Sequence, residues 1–451
     1  MAASRRFTLV ATILGSSIAF IDGTVVTVAL PAVQRDLGGG LTAQQWVVDA
    51  YLLTLGSLIL VGGSLGDIFG EMRLFTIGVA SFGLASILCA LAPDITTLIV
   101  FRGIQGIAGA LLTPSSLALI TSNFEGAERG AAIGTWAAWS GISTVVGPLL
   151  GGWLIGISSW RVIFFLNVPI AIVTIAIALL LIPRGRDTAS RARVDYLGGV
   201  LCAVGLGGVV YGLIEQPRLG WTHWSIVGGL VLGAALLIAF VAWEARARAP
   251  MLPLRLFASR NFSVTNVETL AVYGGLSAWG FFLALFLQQL SGYSPFRSGL
   301  ATLPVTLVLF TLSRYTGRWS AHYGPRLFMA VGPLLAGASL LTLARMPVHL
   351  SYWIDLLPPL LGFSVGLALT VAPLTTTVLS DAGAGDAGIA SGVNNAVARI
   401  AGLVAIAAIG LAASGGAHKL TPHGFHVAMV IVGALICAGG AIGAAGIRNP
   451  A

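Results

Sequence analysis

The feature that most constrains this chain is a series of long apolar runs that follow one another from end to end, separated by short polar breaks. Each run reaches about 20 residues, the length at which an α-helix crosses a hydrocarbon core of about 30 Å. Membrane-spanning β-strands are about half as long and alternate apolar with polar side chains. Only 9% of the residues are charged, against about 25% in soluble domains. The sequence therefore predicts an all-α integral membrane protein.

Fourteen such runs fit the sequence, so we predict a chain that crosses the membrane fourteen times through short loops. An even number of spans places both termini on the same side of the bilayer. Most of the 24 Lys and Arg residues lie in or beside loops on that side, and basic residues favour the cytoplasm. We therefore expect cytoplasmic termini. The predicted spans are 8–30, 46–66, 74–92, 97–120, 131–155, 162–182, 196–215, 224–243, 264–290, 299–319, 327–345, 352–378, 388–411 and 425–447.

A weak internal repeat relates the two ends of the sequence. The loop after helix 2 reads GSLGDIFGEMRLF from Gly63 to Phe75, and the loop after helix 10 reads GRWSAHYGPRLF from Gly317 to Phe328. Glycine and proline patterns of helices 4 and 5 recur in the same order in helices 12 and 13. Two parallel six-helix halves are the plan of one large transporter class. We predict an N-terminal half (1–182), a segment with two inserted helices (183–263) and a C-terminal half (264–451).

Six short motifs follow one another along the N-terminal half. They are IDGTVVTVALP (Ile21 to Pro31), WVVDAYLL (Trp46 to Leu53), GSLGDIFG (Gly63 to Gly70), FRGIQGIAGA (Phe101 to Ala110), GISTVVGPLLGG (Gly141 to Gly152) and WRVIFFLNVP (Trp160 to Pro169). In this order and combination they resemble the motifs of major facilitator superfamily transporters of the fourteen-helix drug:proton antiporter branch. The resemblance implies the major facilitator fold, with 14 transmembrane helices in a 6+2+6 arrangement.

The same resemblance implies a function. A member of this branch is expected to be a proton-coupled secondary active exporter of amphipathic or cationic organic compounds, including drugs, working by alternating access. We expect no cofactor, because the proton gradient supplies the energy. The expected partners are a small-molecule substrate and the lipid bilayer. We expect a monomer in the bacterial cytoplasmic (inner) membrane. Two alternatives stay open, a lipid or lipid-conjugate translocator on the same fold and a non-transporting membrane receptor.

Other classes of function are excluded by the sequence. The net charge of +8 comes from basic residues scattered over short loops, which membrane topology explains better than nucleic-acid binding. Cys89, Cys202 and Cys437 lie far apart within apolar spans, so we interpret them as packing residues and expect no metal site. Lys419 is the only lysine, and no Walker-type phosphate loop precedes it, so no ATP site is implied. No His, Asp and Glu residues occur with the spacing of metal ligands, so we expect no enzyme activity.

Charged side chains within the spans are the main functional candidates, because a charge at the bilayer centre costs at least about 2.5–3.5 kcal/mol on insertion scales. Asp22 lies deep in helix 1, and Arg102 lies near the outer end of helix 4. Both therefore fall in the outer half of the membrane. In the family these helices face one central cavity, so we predict that the two side chains meet. Asp22 would then take up and release the driving proton beside Arg102. The alternative is a static ion pair that holds two helices together.

Three further charged residues are candidates. Glu268, near the start of helix 9, could carry a second proton or bind a cationic substrate, or it could be solvated at the mouth of the cytoplasmic cavity. Asp49 lies near the outer end of helix 2, where solvation at the interface is the default expectation, with substrate binding as the alternative. Arg399, a further candidate for substrate binding, lies too deep in helix 13 to reach the interface and must face protein or water. Glu268 is one candidate partner for it.

Glycine motifs and tryptophans complete the set of candidates. Gly63, Asp67 and Gly70 of the helix 2–3 loop resemble a conformational latch, although Glu71 stands where a basic residue is common. The resemblance implies that the helix 5 motif seals antiporters against proton leak, whereas the residues alone equally fit a packing seam. Tryptophans within spans could stack on flat or cationic substrates or simply pack. The helix 5 motif residues and these tryptophans are Gly147, Pro148, Gly151 and Gly152, and Trp136, Trp139 and Trp279.

Overall fold

The computed structural model describes residues 2–182, 194–381, 383–414 and 419–449. The loop between the sixth and seventh predicted spans falls largely on residues 183–193, which lie outside the described residues. Throughout the described ranges the regular secondary structure is helical, without a β-strand. Fourteen helices are long and apolar enough to cross a membrane. The predicted all-α fold with fourteen spans is confirmed.

Each predicted span corresponds to one helix. The helices, numbered in chain order, are α1 (Ala2–Leu37), α2 (Gly40–Phe69), α3 (Glu71–Ala90), α4 (Ile95–Asn123), α5 (Gly126–Ile157), α6 (Val162–Leu181), α7 (Tyr196–Leu219), α8 (Trp224–Glu244), α9 (Arg260–Leu290), α10 (Pro295–Tyr323), α11 (Pro325–Arg345), α12 (Tyr352–Asp381), α13 (Gly383–Ser414) and α14 (Pro422–Gly446). The last turn of α9 and the first turn of α12 are π-helical.

Most helices begin before or end after the predicted span, and the turn between α1 and α2 shows why. A count of apolar residues stops at the first polar side chain, but a helix continues while its backbone hydrogen bonds and its side chains are satisfied. Gln44 donates to Gln34 Oε1 at 3.0 Å, which joins the polar ends of α1 and α2. The chain reverses at Gly38 and Gly39, whose φ values of 77° and 96° are accessible to glycine at little cost.

Packing divides the chain into two units. The first comprises Met1–Leu206, Leu236–Met251 and Ser294–Phe296. Within it α4 packs against α2 and α3, while α1 packs against α5 and α6. The core between these helices includes Ile18, Tyr51, Phe75, Phe82 and Leu112. Large apolar side chains therefore fill the centre of the bundle, and the helix bearing Asp22 contributes to that core.

The second unit comprises Gly207–Ala235, Leu252–Tyr293 and Arg297–Ala451. Here α9 packs against α13 and α14, and α11 packs against α12 and α14. Glycines allow the close crossings, since a Cβ atom on Gly366 of α12 would lie 2.5 Å from the carbonyl oxygen of Gly332 on α11. The three-part division into 1–182, 183–263 and 264–451 stays a prediction.

Candidate functional site

The two charged residues singled out in the first half meet in the interior of the first unit. Asp22 on α1 has no solvent-exposed surface and Arg102 on α4 retains 1%. The Arg102 Nη1 atom lies 2.5 Å from Asp22 Oδ2. A charge-assisted hydrogen bond of this kind is about twice as strong as a neutral one. The structure thus brings together the predicted pair, while its role in proton coupling stays a prediction.

Two amides complete the shell around the Asp22 carboxylate. Gln105 Nε2 donates to Oδ1 at 3.0 Å, and Asn167 Nδ2 on α6 donates to the same oxygen at 3.2 Å. Both amides also donate to Ser86 Oγ on α3. Asp22 therefore accepts three hydrogen bonds from two helices, and the third helix, α3, orients the amides. This arrangement suits an ionised carboxylate, because every group that faces it is a donor.

Arg102 is held in place by more than its ion pair. Its Nε donates to the carbonyl of Val47 at 3.1 Å and its Nη1 to Gln105 Oε1 at 2.6 Å. The guanidinium lies over the ring of Tyr51, 4.4 Å from the centroid, in cation–π geometry. The cation therefore keeps partners on α2 and α4 when its interaction with Asp22 is lost.

The geometry defines what protonation would do here. A proton on Asp22 would neutralise the carboxylate and remove the charge that ties α1 to Arg102, while Arg102 would keep Val47 and Gln105. Attachment of α1 to α4 would then depend on whether the site holds a proton. Coupling of a local charge change to a movable element is how such switches operate in general.

The glycine motif of α5 packs directly against the part of α1 that bears Asp22. A Cβ atom on Gly147 would clash with Thr24 Oγ1 and lie 3.1 Å from the carbonyl oxygen of Ile21. A Cβ atom on Gly151 would clash with Val25. Pro148 lies within the same helix and Gly152 is buried. The motif therefore sets how close α5 comes to the part of α1 that bears Asp22, and its role against proton leak stays a prediction.

The loop motif between α2 and α3 forms a tight helix junction. Gly70 has a φ of 89° and its N–H donates to the carbonyl of Gly66 at 3.0 Å, which ends α2. Asp67 is exposed in the last turn of α2, and Gly63 is half-buried. A Cβ atom on Gly63 would lie 3.7 Å from Pro114 Cβ of α4, in ordinary contact. Glu71 accepts a hydrogen bond from Ser122 Oγ at 2.5 Å. The junction is well formed without the basic residue that the resemblance leads one to expect.

The default expectation for Asp49 is wrong. It was solvation at the outer interface, yet Asp49 has no exposed surface, and neither carboxylate oxygen has a hydrogen-bond partner among the described residues. The reason is that α2 begins at Gly40, six residues before the predicted span, so Asp49 lies more than two turns into the helix. A buried carboxylate without a partner is costly, which favours a functional role over a solvated one.

Glu268 and Arg399 are not partners. Glu268 on α9 has no exposed surface, and in the described ranges both of its carboxylate oxygens lack a hydrogen-bond partner. It is therefore not solvated at a cavity mouth. Arg399 on α13 is half-buried and interacts electrostatically with Tyr273 of α9. The adjacent contact between α9 and α13 is made by Asn394, whose Nδ2 donates to Thr269 Oγ1 at 2.8 Å.

The three tryptophans differ in their surroundings. Trp136 donates from Nε1 to Ser16 Oγ at 2.9 Å and to Ser116 Oγ at 3.2 Å, so it is fixed to α1 and α4. Trp139 is 49% exposed. Trp279 is buried with its ring 4.6 Å from that of Phe363, and its Nε1 has no hydrogen-bond partner within the described ranges. Of the three, Trp279 has an unused donor to offer a ligand.

The site also contains uncharged residues that the sequence analysis did not single out, namely Ser86, Gln105, Asn167 and Tyr51. A signal for three of them was present. Gln105 belongs to FRGIQGIAGA, Asn167 to WRVIFFLNVP and Tyr51 to WVVDAYLL, and a polar residue within an apolar span is costly unless it is bonded. Attention to charge alone missed them. In the described part of the chain no three His, Cys, Asp or Glu side chains group as metal ligands would.

Comparison with known proteins gives a consistent result. The model of the Major Facilitator Superfamily matches residues 12–406. The chain is 36% identical to the puromycin resistance protein pur8 of Streptomyces alboniger, over 95% of this chain and 86% of the relative. It is 32% identical to the tetracenomycin C resistance and export protein of Streptomyces glaucescens, over 90% and 75%. It is 34% identical to the multidrug resistance protein Stp of Mycobacterium tuberculosis, also over 90% and 75%.

Solved structures show the same fold at low sequence identity. The peptide transporter POT in complex with sulfate aligns with a TM-score of 0.70 at 16% identity, covering 98% of this chain and 94% of that one. The xylose transporter XylE from E. coli, in a partially occluded inward-open conformation, aligns with a TM-score of 0.65 at 14% identity, covering 97% and 96%. These similarities support the fold and carry no information about the substrate.

Proposed function

Because the chain belongs to the Major Facilitator Superfamily, we infer that it is a multi-pass membrane transporter that exports drug-like small molecules. The relatives that cover most of its length are named for resistance to puromycin, for resistance to and export of tetracenomycin C, and for multidrug resistance. Its fourteen apolar helices fit this role, and the bacterial relatives support the cytoplasmic membrane as its location. Export from the cytoplasm agrees with the proposed cytoplasmic termini.

The energy source in this proposal is the proton gradient. The observation that carries it is the buried pair of Asp22 and Arg102, joined at 2.5 Å in the first unit. Asp22 is a carboxylate that can lose its charge without losing its amide neighbours, and its charge decides how α1 is held to α4. One proton taken up at Asp22 would weaken that attachment, and its release would restore it. Alternating access would follow from this change in attachment.

The substrates in this proposal are amphipathic and include cations. Trp279 offers a buried indole N–H that has no partner in the described ranges, together with an aromatic face beside Phe363. Asp49 is a buried carboxylate whose oxygens are equally unpartnered there, as a site for a cationic group requires. We propose the two as separate candidates, Asp49 for a cationic group and the Trp279 ring for a flat apolar one.

The remaining parts of the proposal concern what the transporter does not need. It works as a monomer, without a cofactor, a metal or bound nucleic acid, and it has no enzyme activity. The lack of a cofactor in this proposal follows from a mechanism in which a proton and a small molecule move in opposite directions across the bilayer. The movement of protons down their gradient supplies the free energy for export.

Purified protein in sealed lipid vesicles that contain a pH-sensitive dye tests the proposal. Addition of puromycin, or of the lipophilic cation tetraphenylphosphonium, should cause protons to move in the direction opposite to the added compound. An imposed pH gradient should drive uptake of the compound. Movement of labelled phospholipid without movement of either compound would favour the lipid translocator. Binding of a compound without any movement of it or of protons would favour the receptor.

A further inference from the structure

In the second unit, α14 lies between α9 and α11 and meets each through glycines. On one face, a Cβ atom on Gly439 would lie 3.1 Å from Ala271 Cβ of α9. On another, a Cβ atom on Gly440 would lie 2.8 Å from the carbonyl oxygen of Ala330 on α11. Helices that approach this closely bring backbone groups within reach of side chains from a third helix.

Gly443 is the point at which the three helices come together. A Cβ atom built on it would lie 2.8 Å from Glu268 Oε2 of α9 and 2.5 Å from the carbonyl oxygen of Met329 on α11. Both oxygens therefore border the same methyl-sized space on α14. Glu268 and Met329 are fully buried. Only a residue without a side chain at position 443 leaves the carboxyl group and the carbonyl free to approach each other.

The Met329 carbonyl lacks its ordinary helical donor. In an α-helix the carbonyl of one residue accepts from the N–H four positions later, and for Met329 that position is Pro333. Proline has no N–H. A buried carbonyl deprived of its donor is costly unless another donor reaches it. Glu268 is also buried, and both of its oxygens lack a partner within the described part of the chain.

We propose that Glu268 binds a proton and donates it, as a neutral carboxylic acid, in a hydrogen bond to the Met329 carbonyl that Pro333 leaves without a donor. One proton satisfies both buried groups and joins α9 to α11 across Gly443. Loss of that proton removes the donor and leaves a buried charge facing a carbonyl oxygen, which repels it. The second unit thus contains a proton-dependent helix contact in addition to Asp22.

Among the described residues, no cation donates a hydrogen bond to either Glu268 oxygen. On α11, Arg326 donates from Nε to the carbonyl of Ala444 at 2.8 Å, and on α9, Arg260 donates from Nε to that of Gly446 at 2.8 Å. Both arginines thus bind the C-terminal end of α14. Asp381 of α12 accepts from the backbone N–H of Phe262 at 2.9 Å. Other titratable side chains on the described parts of these elements include Tyr273 and Arg399, which interact with each other, Cys437, which contacts the carbonyl of Leu334, and His423 and His426 near the start of α14. They also include Arg345 at the end of α11, Tyr352 and Asp355 in the first turn of α12, and Arg255 in the short turn before α9.

Infrared spectroscopy of the purified protein in lipid vesicles detects the proton directly, because a protonated carboxylic acid has a C=O stretching band that an ionised one lacks. At neutral pH we expect the wild-type spectrum to contain such a band and the Glu268→Gln spectrum to lack it. Glu268→Gln should fold, since its amide N–H can donate to the same carbonyl. Identical acid bands in the two proteins would show that Glu268 is ionised and would overturn the proposal.

Two variants test the identity of the acceptor. Pro333→Ala gives the Met329 carbonyl a helical N–H, and Gly443→Ala places a methyl group between the two oxygens. Each should shift the Glu268 acid band toward the frequency of an acid without an acceptor. Pro304→Ala on α10 and Gly280→Ala on α9 are matched controls, since a Cβ on Gly280 has nothing within 4 Å, and both should leave the band in place. An unshifted band in both test variants would overturn the assignment.

A second readout is the pH dependence of thermal stability. The contact exists with the proton bound and is lost without it, so the wild-type Tm should fall as the pH rises, while the Tm of Glu268→Gln should not follow this fall. The role of this contact in transport depends on the proposed proton coupling, but the hydrogen bond does not. Neither readout needs a gradient or a substrate, and both should persist in Asp22→Asn. Failure of the vesicle assay and failure of the Glu268 bond can therefore be told apart.

Discussion

Replacement of Asp22 by Asn is the perturbation that most directly tests the proposed mechanism. The amide has nearly the shape of the carboxylate but cannot titrate. It would leave Arg102, 1% exposed, without its counter-charge. Breaking a buried ion pair by removing one partner costs about 3–5 kcal/mol. Arg102 keeps the carbonyls of Val47 and Gln105 as acceptors, so we expect a loss near the lower end, about 3 kcal/mol, or roughly a hundredfold in the folded-to-unfolded ratio.

The matched control is Asp36→Asn at the outer end of the same helix. Asp36 also pairs with an arginine, Arg161, but its side chain is 47% exposed. Exposed pairs contribute about 0–1 kcal/mol. The same chemical change should therefore have little effect on stability at position 36 and a large one at position 22. Addition of Arg102→Gln to Asp22→Asn removes the orphaned charge and should recover stability without recovering transport.

The assay is proton-driven uptake of puromycin into inverted membrane vesicles, with the amount of folded protein measured in parallel. Asp22→Asn and the double variant should show no uptake driven by a pH gradient, while exchange of labelled for unlabelled compound at equal concentration should persist. Asp22→Glu keeps the titrating group and should retain partial activity. Wild-type gradient-driven rates in Asp22→Asn would refute the reasoning, and Asp49 would be the next carboxylate to test.

Two further variants probe the surroundings of the site. Arg102→Ala removes the cation that favours the charged form of Asp22, so the pH profile of transport should move to higher pH; an unchanged profile in an active variant would show that the two residues are not coupled. Gly147→Ala places a methyl group against Thr24 and Ile21 beside the site, and overpacking of this kind costs about 1–3 kcal/mol. We expect loss of transport, measured in the same vesicles, with normal activity in Gly141→Ala, whose Cβ would have nothing within 4 Å; equal activities would contradict this.

The fold was predictable because the bilayer leaves few options. Backbone groups in hydrocarbon must be bonded within the chain, so each apolar run of sufficient length has to be a helix. The number of helices follows from that rule, and the family follows from the order of six motifs. Helix ends were less predictable, as α2 illustrates. Its first six residues, Gly40 to Gln45, include polar side chains that a hydropathy criterion excludes, yet Leu41, Ala43, Gln44 and Gln45 are buried.

The residues of the candidate site that carry a charge could be predicted from the sequence. The groups that lie next to them could not be predicted where helix packing determines them. Asp22 and Arg102 could be paired because both lie at a similar depth and charge within a span is rare. The surroundings of Glu268 could not be found from charge, because the backbone carbonyl of Met329 on α11, and not Arg399, borders the same space at Gly443. That arrangement depends on Gly443, which has no Cβ atom, and on Pro333, which has no backbone N–H. Neither has a meaning in the sequence until the three helices are known to meet.

Asn167 shows how the Asp22 site accommodates both protonation states. Its Nδ2 donates to Asp22 Oδ1 at 3.2 Å, while its Oδ1 is buried without a hydrogen-bond partner among the described residues. A protonated Asp22 needs an acceptor for its new O–H, and a half-turn of the Asn167 amide would present that oxygen. Gln105 cannot serve in the same way, because its Oε1 already accepts from Arg102 at 2.6 Å.

The two amides should therefore respond differently to replacement by leucine. Gln105→Leu removes a donor that stabilises the charged carboxylate more than the neutral acid, so the pH profile of transport should move to higher pH. Asn167→Leu removes a donor from the charged form and an acceptor from the neutral form, and the two losses should largely cancel. We expect its profile to stay close to that of the wild type, with both variants less stable because each leaves a buried partner unsatisfied. Equal shifts in the two variants would show that Asn167 acts only as a donor, and that the neutral form of Asp22 finds its acceptor elsewhere.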